Sequence, residues 1–178
     1  ARQPRSTTWR ACVLNSRVRG IGGGPAFPAC GVANVQTYPG CFSPSPGCGL
    51  GIAFEAYAYS LVAADCAIWD DSFTHEIGHL MGGNHTRSQL NPADVSAIVA
   101  NGFPDPFAKL VPGTFASIMS IDFGTPRRLY FSNPNVVVNG VTTGNSGTEN
   151  NARIVDLLTP VMEDYEDRPD AVFANGFQ

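Results

Sequence analysis

An α+β domain is expected from three features of the chain. The stretch LGIAFEAYAYSLVAADCAI, from Leu50, holds two apolar runs, roughly 49–54 and 57–64, rich in β-branched and aromatic residues and bounded by turn residues. The stretches DDSFTHEIGHLMGG and NNARIVDLLTPVMEDYEDR keep helical spacing instead. Between and before them, 19 Gly and 14 Pro impose many turns and irregular segments.

The 178 residues and 18.9 kDa fit one domain, or one domain with tails. Hydrophobic residues make up 43% and charged residues 15%, enough for a core and too little charge for general disorder. The net charge of −4 argues against nucleic acid as the main partner. Residues 1–54 carry five Arg and no acidic residue, so the remainder is strongly acidic. Such a start reads either as a solvated tail or as the remnant of a pro-segment or targeting segment. No run of about 20 apolar residues exists, so no membrane span is expected. The chain opens at Ala1 without a charged-then-apolar leader, so any signal peptide is expected to be already absent. Five cysteines (Cys12, Cys30, Cys41, Cys48 and Cys66) lean toward an oxidising compartment, and their odd number leaves one free or bonded elsewhere.

Residues 1–47 show no period of 2 or 3.6, and GIGGGPAFPACG and CFSPSPGCG read as loop. They are taken as a Gly/Pro-rich, Arg-containing N-terminal segment. The body of the domain is placed at 48–166, and 167–178, ending DAVFANGFQ, reads as a tail. After the two strands, Asp71 or Ser72 caps a helix that Gly82-Gly83 ends. NPADVSAIVANG is a second helix, with Asn91 as cap, Pro92 in the first turn and Gly102 past the end. Residues 103–148 read mostly as loop, with NVVVNGV a short strand or extended piece. The final helix presents Ile154, Leu157, Leu158, Val161, Met162 and Tyr165 on one face, and Pro160 should kink it or end it early.

All three histidines, His75, His79 and His85, fall within eleven residues. On a helix, positions i and i+4 share a face, so His75 and His79 can reach one metal ion together. Gly82 lets the chain leave the helix through a left-handed turn, and His85 can swing back to the same ion. Three neutral imidazoles suit Zn²⁺ and leave its fourth position for water. Glu76 sits about 100° round the helix from His75, beside the site without ligating, where a carboxylate can take a proton from water and hand it to a leaving amine. The plain alternative, surface histidines at a helix end, does not account for Glu76 and Gly82 at their places.

The run His75-Glu76-Ile77-Gly78-His79-Leu80-Met81-Gly82-Gly83-Asn84-His85 is the H-E-x-x-H-x-x-G-x-x-H signature of the metzincin zinc proteases. FASIMSIDFG supplies a Met-turn candidate in Met119, 34 residues after His85; the plain alternative is a core methionine. The wider stretch 48–166 resembles secreted bacterial reprolysin-like (adamalysin-type) metallopeptidases. The resemblance implies a metzincin-like zincin: a small mixed sheet, an active-site helix beneath it, an irregular lower subdomain and a C-terminal helix. It implies one catalytic Zn²⁺, a secreted bacterial endopeptidase, and a protein or peptide substrate lying extended along an edge strand formed by residues 50–54. Residues 103–130 would shape the pocket that sets cleavage preference. Ca²⁺ occurs in such enzymes, yet no oxygen-ligand cluster stands out. Two positions depart from the pattern: Thr86 stands where adamalysins usually have Asp, and Ile121 where some metzincins carry Tyr. Only 74 residues precede the motif, fewer than the family normally uses there, so the upper subdomain reads as truncated. A zinc-binding but inactive module is the alternative to an enzyme.

The resemblance also bears on the cysteines. Cys48 and Cys66 flank the two expected strands, the bacterial relatives carry cysteines at both places, and a Cys48–Cys66 disulfide is expected. PACGVANV, residues 28–35, resembles the cysteine-switch segment of matrixin pro-peptides, which would make Cys30 a latency thiol at the zinc. The plainer alternative, preferred because short motifs recur by chance, is a loop in which Cys30 pairs with Cys12 or Cys41.

Overall fold

The structure, a computed structural model, describes residues 11–14, 30–33, 35, 58–63, 66, 71–100, 102–122 and 124–163. A three-stranded sheet leads the described chain. Strand β1 (Ala11–Leu14) pairs in parallel with β3 (Ser60–Ala63), and β2 (Gly31–Ala33) pairs antiparallel with the other edge of β3. The register sets Ala11 opposite Ser60 and Gly31 opposite Val62. The sheet is mixed, as expected, and β3 falls inside the expected strand 57–64. The expected strand 49–54 lies outside the described residues.

Two of the three strands come from the first 47 residues, which had read as loop. The reason is length. Four residues of β1 and three of β2 cannot display a period of 2, and GVA lacks the β-branched run that marks a strand. The sheet thus joins residues 11–33 to residues 60–63, across the boundary that composition places after residue 47.

Helix α1 (Ser72–Leu80) follows and packs against β2 and β3. Asp71 occupies the cap position, but with φ 60° and no side-chain cap bond, so it starts the helix without capping it. The C-terminus closes as expected. Gly83 N–H donates to the Gly78 carbonyl at 2.8 Å and Gly82 N–H to the His79 carbonyl at 2.9 Å, with Gly82 at φ 79°. That is the Schellman pattern, and its left-handed position favours glycine.

Helix α2 (Pro92–Ala100) matches its expectation: the Asn91 side chain accepts from Ala93 N–H at 2.9 Å, and Gly102 leaves at φ 89°. Two small hairpins occupy the stretch read as loop, β4 (Leu110–Val111) with β5 (Phe115–Ala116), and β6 (Val137–Val138) with β7 (Val141–Thr142). Asn139 and Gly140 turn the second hairpin at φ 50° and 79°, the positive pair a two-residue hairpin loop demands.

Helix α3 (Asn151–Glu163) runs through Pro160 rather than stopping at it. Pro160 and Asp156, whose carbonyl loses its partner, both lie on the exposed face, so water can serve that carbonyl. One residue earlier the Thr159 hydroxyl donates to the Val155 carbonyl at 2.8 Å. Ile154, Leu158 and Met162 face the core as expected, but Leu157 does not; it is 42% exposed. Ile154 and Leu158 pack with Phe103 and Ile98, while Met162 packs with Leu80, Ile77, Met81 and Ala33. The last contact joins α3, α1 and β2 in one apolar layer. No helix among the described residues is long and apolar enough to cross a membrane.

Candidate metal centre

His75 and His79 lie one turn apart on the buried face of α1. The Schellman exit then carries the chain to His85. Asn84 N–H donates to the Pro106 carbonyl at 2.8 Å, and Ala108 N–H to the Asn84 carbonyl at 3.0 Å. The side chain of Asn151, fully buried at the start of α3, donates to the Asn84 carbonyl at 3.3 Å. The Asn151 N–H in turn donates to Ser132 Oγ, whose hydroxyl donates to the Phe107 carbonyl. His85 is therefore placed by a lattice of backbone and amide bonds, not by the helix.

The three ring nitrogens converge. His85 Nε2 lies 3.1 Å from His75 Nε2 and 3.0 Å from His79 Nε2, and the three histidines form a group able to hold one metal ion. Their far nitrogens settle the tautomers. His75 Nδ1 is 2.8 Å from the Ile118 carbonyl, and His79 Nδ1 is 2.8 Å from the Gly83 carbonyl. A carbonyl oxygen only accepts, so both Nδ1 atoms carry hydrogen and both Nε2 atoms of the neutral rings turn bare lone pairs inward. His85 Nε2 can donate to at most one of them. A cation between the three satisfies all; the two spacings from His85 are near the ~3.3 Å expected between nitrogens of a tetrahedral zinc site, and all the ligand atoms lie within 4.8 Å of one another.

Burial keeps the rings neutral. Desolvation, then the neighbouring His79, pushes His75 down to about 3 and His85 down to about 4; desolvation also lowers His79. A metal ligand must be unprotonated, so the site is prepared for an ion at neutral pH.

Met119 lies fully buried in a turn closed by Ser120 N–H donating to the Ser117 carbonyl at 2.9 Å. Its sulfur rests against Gly78 of α1, where an added Cβ would come within 2.3 Å of Sδ. The turn thus sits directly under the helix that carries His75 and His79, and it supplies the Ile118 carbonyl to His75. Thr86, the position that departs from Asp, is buried, and its N–H donates to Gln89 Oε1 at 3.2 Å. Ile121 N–H donates to the same oxygen at 3.3 Å, so Gln89 ties the His85 segment to the Met119 turn. Ile121 itself is exposed.

Glu76 is buried on the side of α1 that faces β2. A Cβ on Gly31 would meet its Oε1 at 2.5 Å and its Cγ at 2.7 Å. Two cysteine expectations are corrected nearby. Cys30, just before β2, is bonded to Cys66, with Cα atoms 5.4 Å apart. Cys66 is therefore not joined to Cys48, which lies outside the described residues, and Cys30 is neither a latency thiol nor paired with Cys12 or Cys41. The antiparallel pairing explains the choice: Ala63 N–H donates to the Cys30 carbonyl at 2.8 Å, which brings the end of β3 beside the start of β2.

The histidines, Glu76, Gly82 and Met119 were legible from the motif. Asn84, Gln89, Ser132 and Asn151, which hold the His85 loop, were not. The only signal was Asn and Ser in a loop region, where they are common for many reasons.

Comparison with known proteins agrees with this centre. Residues 9–86 match the family model of reprolysin-like metallopeptidases of family M12B. A peptidyl-Asp metalloendopeptidase of Xanthomonas campestris is 34% identical over 126 residues, covering 70% of this chain and 27% of the relative. Peptidyl-Asp metalloendopeptidases of two Stenotrophomonas maltophilia strains are 34% and 33% identical, each over 61% of this chain and 26% of the relative. The chain thus spans about a quarter of the length of the curated relatives it matches. No solved structure matches it significantly. On the histidine motif, the family model and these relatives together, residues 9–86 are similar to the reprolysin-like metallopeptidases of family M12B.

Proposed function

We propose that this chain is a secreted zinc endopeptidase in which His75, His79 and His85 hold the ion and Glu76 acts as general base. The convergence of three Nε2 lone pairs, two of them fixed by carbonyls behind the rings, carries the reading. When bound, Zn²⁺ supplies Lewis-acid polarisation of a peptide carbonyl and acidifies water. Glu76, buried between α1 and β2, takes the proton from the attacking water and passes it to the leaving amine, so no covalent intermediate with the protein is needed. Met119 packs beneath α1 and holds the helix against the turn that orients His75.

The extended substrate lies along β2. Only one edge of β2 pairs with a described strand, Val32 is 45% exposed, and Gly31 abuts Glu76. A peptide adding to that edge would pass the general base, as β-augmentation allows. This assigns the role expected for residues 50–54 to residues 31–33. The names of the relatives extend the proposal to peptide bonds beside aspartate. The Cys30–Cys66 disulfide favours an oxidising, extracytoplasmic location.

The test is zinc content and casein hydrolysis of the purified chain, with Glu76→Gln as control. About one zinc per chain, with cleavage that falls on the order of 100-fold or more in Glu76→Gln, is the expected result. Zinc without cleavage in the unmodified chain would instead identify a zinc-binding module without activity.

A further inference from the structure

The three histidines are anchored unequally. The carbonyls of Ile118 and Gly83 stand behind His75 and His79 at 2.8 Å. Among the described residues, no hydrogen bond holds the far nitrogen of His85. Its ring is therefore placed through its own backbone, from the neighbour on either side. Asn84 precedes it and is bonded to Pro106 and Asn151. Thr86 follows it and opens the 3₁₀ turn Arg87–Gln89.

Gln89 ends that turn, so its side chain reaches back to the start, and Oε1 accepts the Thr86 N–H at 3.2 Å. The same oxygen accepts the Ile121 N–H at 3.3 Å, and Nε2 donates to the buried Ser120 Oγ at 3.4 Å. A capping box needs only the first of these bonds. The other two go to the Met119 turn, 31 and 32 residues further along the chain. Ile118 of that turn holds His75, so a closed ring of bonds results. It runs from His75 through Ile118 to Ile121, across Gln89 Oε1 to Thr86, and on to His85, whose Nε2 returns to 3.1 Å from His75 Nε2. His79 stands outside this ring, since Gly83 at the exit of its own helix holds it.

We infer that Gln89 is a positioning residue that sets the separation of His85 from His75, and with it the affinity and geometry of the metal centre. The inference rests on the three histidines holding an ion, not on peptide cleavage. An amide oxygen has two lone pairs and can accept from two N–H groups at once, which fixes the two segments that carry them against each other. Groups that orient metal ligands in this way change affinity roughly 10–100-fold when removed. An apolar side chain of the same length would leave the N–H of the buried Thr86 without this partner, and would release the Met119 turn from the His85 segment.

The test uses the full chain, freed of metal and reloaded with Zn²⁺ or Co²⁺, in wild type, Gln89→Met and Gln89→Glu. Competition with a chromophoric chelator gives zinc affinity, and the visible spectrum gives the coordination of Co²⁺. A tetrahedral Co²⁺ absorbs visible light more strongly than one with more ligands, so solvent entering beside a displaced His85 weakens the bands. Gln89→Met should bind zinc roughly 10–100-fold more weakly and show weakened Co²⁺ bands. Gln89→Glu keeps an acceptor oxygen in the same place, and the Ser120 hydroxyl can turn to donate to it, so affinity and bands should return close to wild type. A purely structural role would lower the urea midpoint of the metal-free chain and leave the spectrum of bound Co²⁺ alone, and that pattern overturns the inference. Wild-type affinity and spectrum in Gln89→Met overturn it as well, as does equal loss in Gln89→Met and Gln89→Glu. If Gln89→Met does not fold, Gln89→Asn, too short to span both N–H groups, takes its place, and wild-type affinity and spectrum there overturn the inference. A wild-type chain that binds neither ion would sink the zinc centre and this inference with it. Zinc bound by wild type and equally well by Gln89→Met would sink this inference alone.

Discussion

Gly31 and Glu76 show how a residue without a side chain can fix one with a charge. The Glu76 carboxylate fills the space where a Gly31 Cβ would stand, at 2.5 Å from Oε1 and 2.8 Å from Cδ. The far end of a glutamate can swing, but its Cγ, 2.7 Å away, is tied to the helix backbone. Gly31→Ala should therefore displace the carboxylate by a fraction of an ångström or more and reduce cleavage on the order of 100-fold, since catalytic groups tolerate little misplacement. Zinc content should not change, because the three atoms nearest an added Gly31 Cβ all belong to Glu76 and none to a histidine; kcat/KM measured beside zinc content distinguishes displacement of Glu76 from loss of the ion. The histidines give a second prediction at this scale, for the zinc-free chain. Burial lowers His75 to about 3 and His85 to about 4, whereas an unfolded imidazole titrates near 6.5. Between these values the unfolded state binds more protons, so stability is fully present above pH 6.5 and declines as pH falls toward 4. Each histidine should contribute a slope of about 1.4 kcal/mol per pH unit in that window. Urea midpoints of the zinc-free chain from pH 7.5 to 4.5 should stay level and then drop from about 6.5. A drop confined to below pH 5 would assign the effect to carboxylates.

Between elements, the loop that carries His85 is held by the backbone of residues 106–108 and by α3. Asn151 donates from its side-chain amide to the Asn84 carbonyl, and Asn84 N–H points back at Asn151 Oδ1 at 3.4 Å. Asn151→Ala would leave buried polar groups of the loop without this partner, at a cost of about 1–3 kcal/mol. Because Asn84 directly precedes His85, zinc affinity should weaken on the order of 10-fold, the usual scale for a group that orients a ligand. Competition with a chromophoric chelator measures it; wild-type affinity in Asn151→Ala would mean that the backbone bonds to Pro106 and Ala108 place His85 without α3. The same elements show what was legible in sequence. α1, α2 and α3 were, because caps, end glycines and helical spacing are local signals: Asn91, Gly82 and Gly102 each do what their positions announce. β1 and β2 were not, because three or four residues carry no period and their pairing partner β3 lies far along the chain. The Cys30–Cys66 bond was hidden for the same reason, since it follows from strand register and not from spacing. Of the two outcomes expected at Pro160, an end at the proline is not what the helix does, because a proline on the exposed face can leave its orphaned carbonyl to water, and a one-dimensional pattern does not say which face packs. Asn139-Gly140 was the missed local signal, a two-residue hairpin turn read as a single strand.

Across the molecule, two cross-links of different chemistry hold different parts of the cleft, and they can be removed separately. An ion on the three histidines ties α1 to the loop that α3 positions, and it binds only the folded arrangement. At free zinc 100 times its dissociation constant, that linkage stabilises by about 2.7 kcal/mol. Chelation should then lower Tm by roughly 5–10 °C for a chain of this size, with no effect in His85→Ala. The Cys30–Cys66 bond instead closes a 36-residue separation between the strand beside Glu76 and the chain leading into α1. Closing a loop of that length is worth about 3–4 kcal/mol in the chain-entropy account. No histidine takes part in it, so the double variant Cys30→Ser/Cys66→Ser should lose that stability and yet bind zinc nearly as wild type does. Its cleavage should fall more than its zinc affinity, because β2, the strand against which both Glu76 and an extended substrate would rest, loses its covalent tether. The loss should appear mainly in KM if the strand orients substrate, and mainly in kcat if displaced Glu76 dominates. Equal loss of zinc and cleavage would instead show that β2 and the histidine centre unfold as one unit, and that the disulfide supports the whole site.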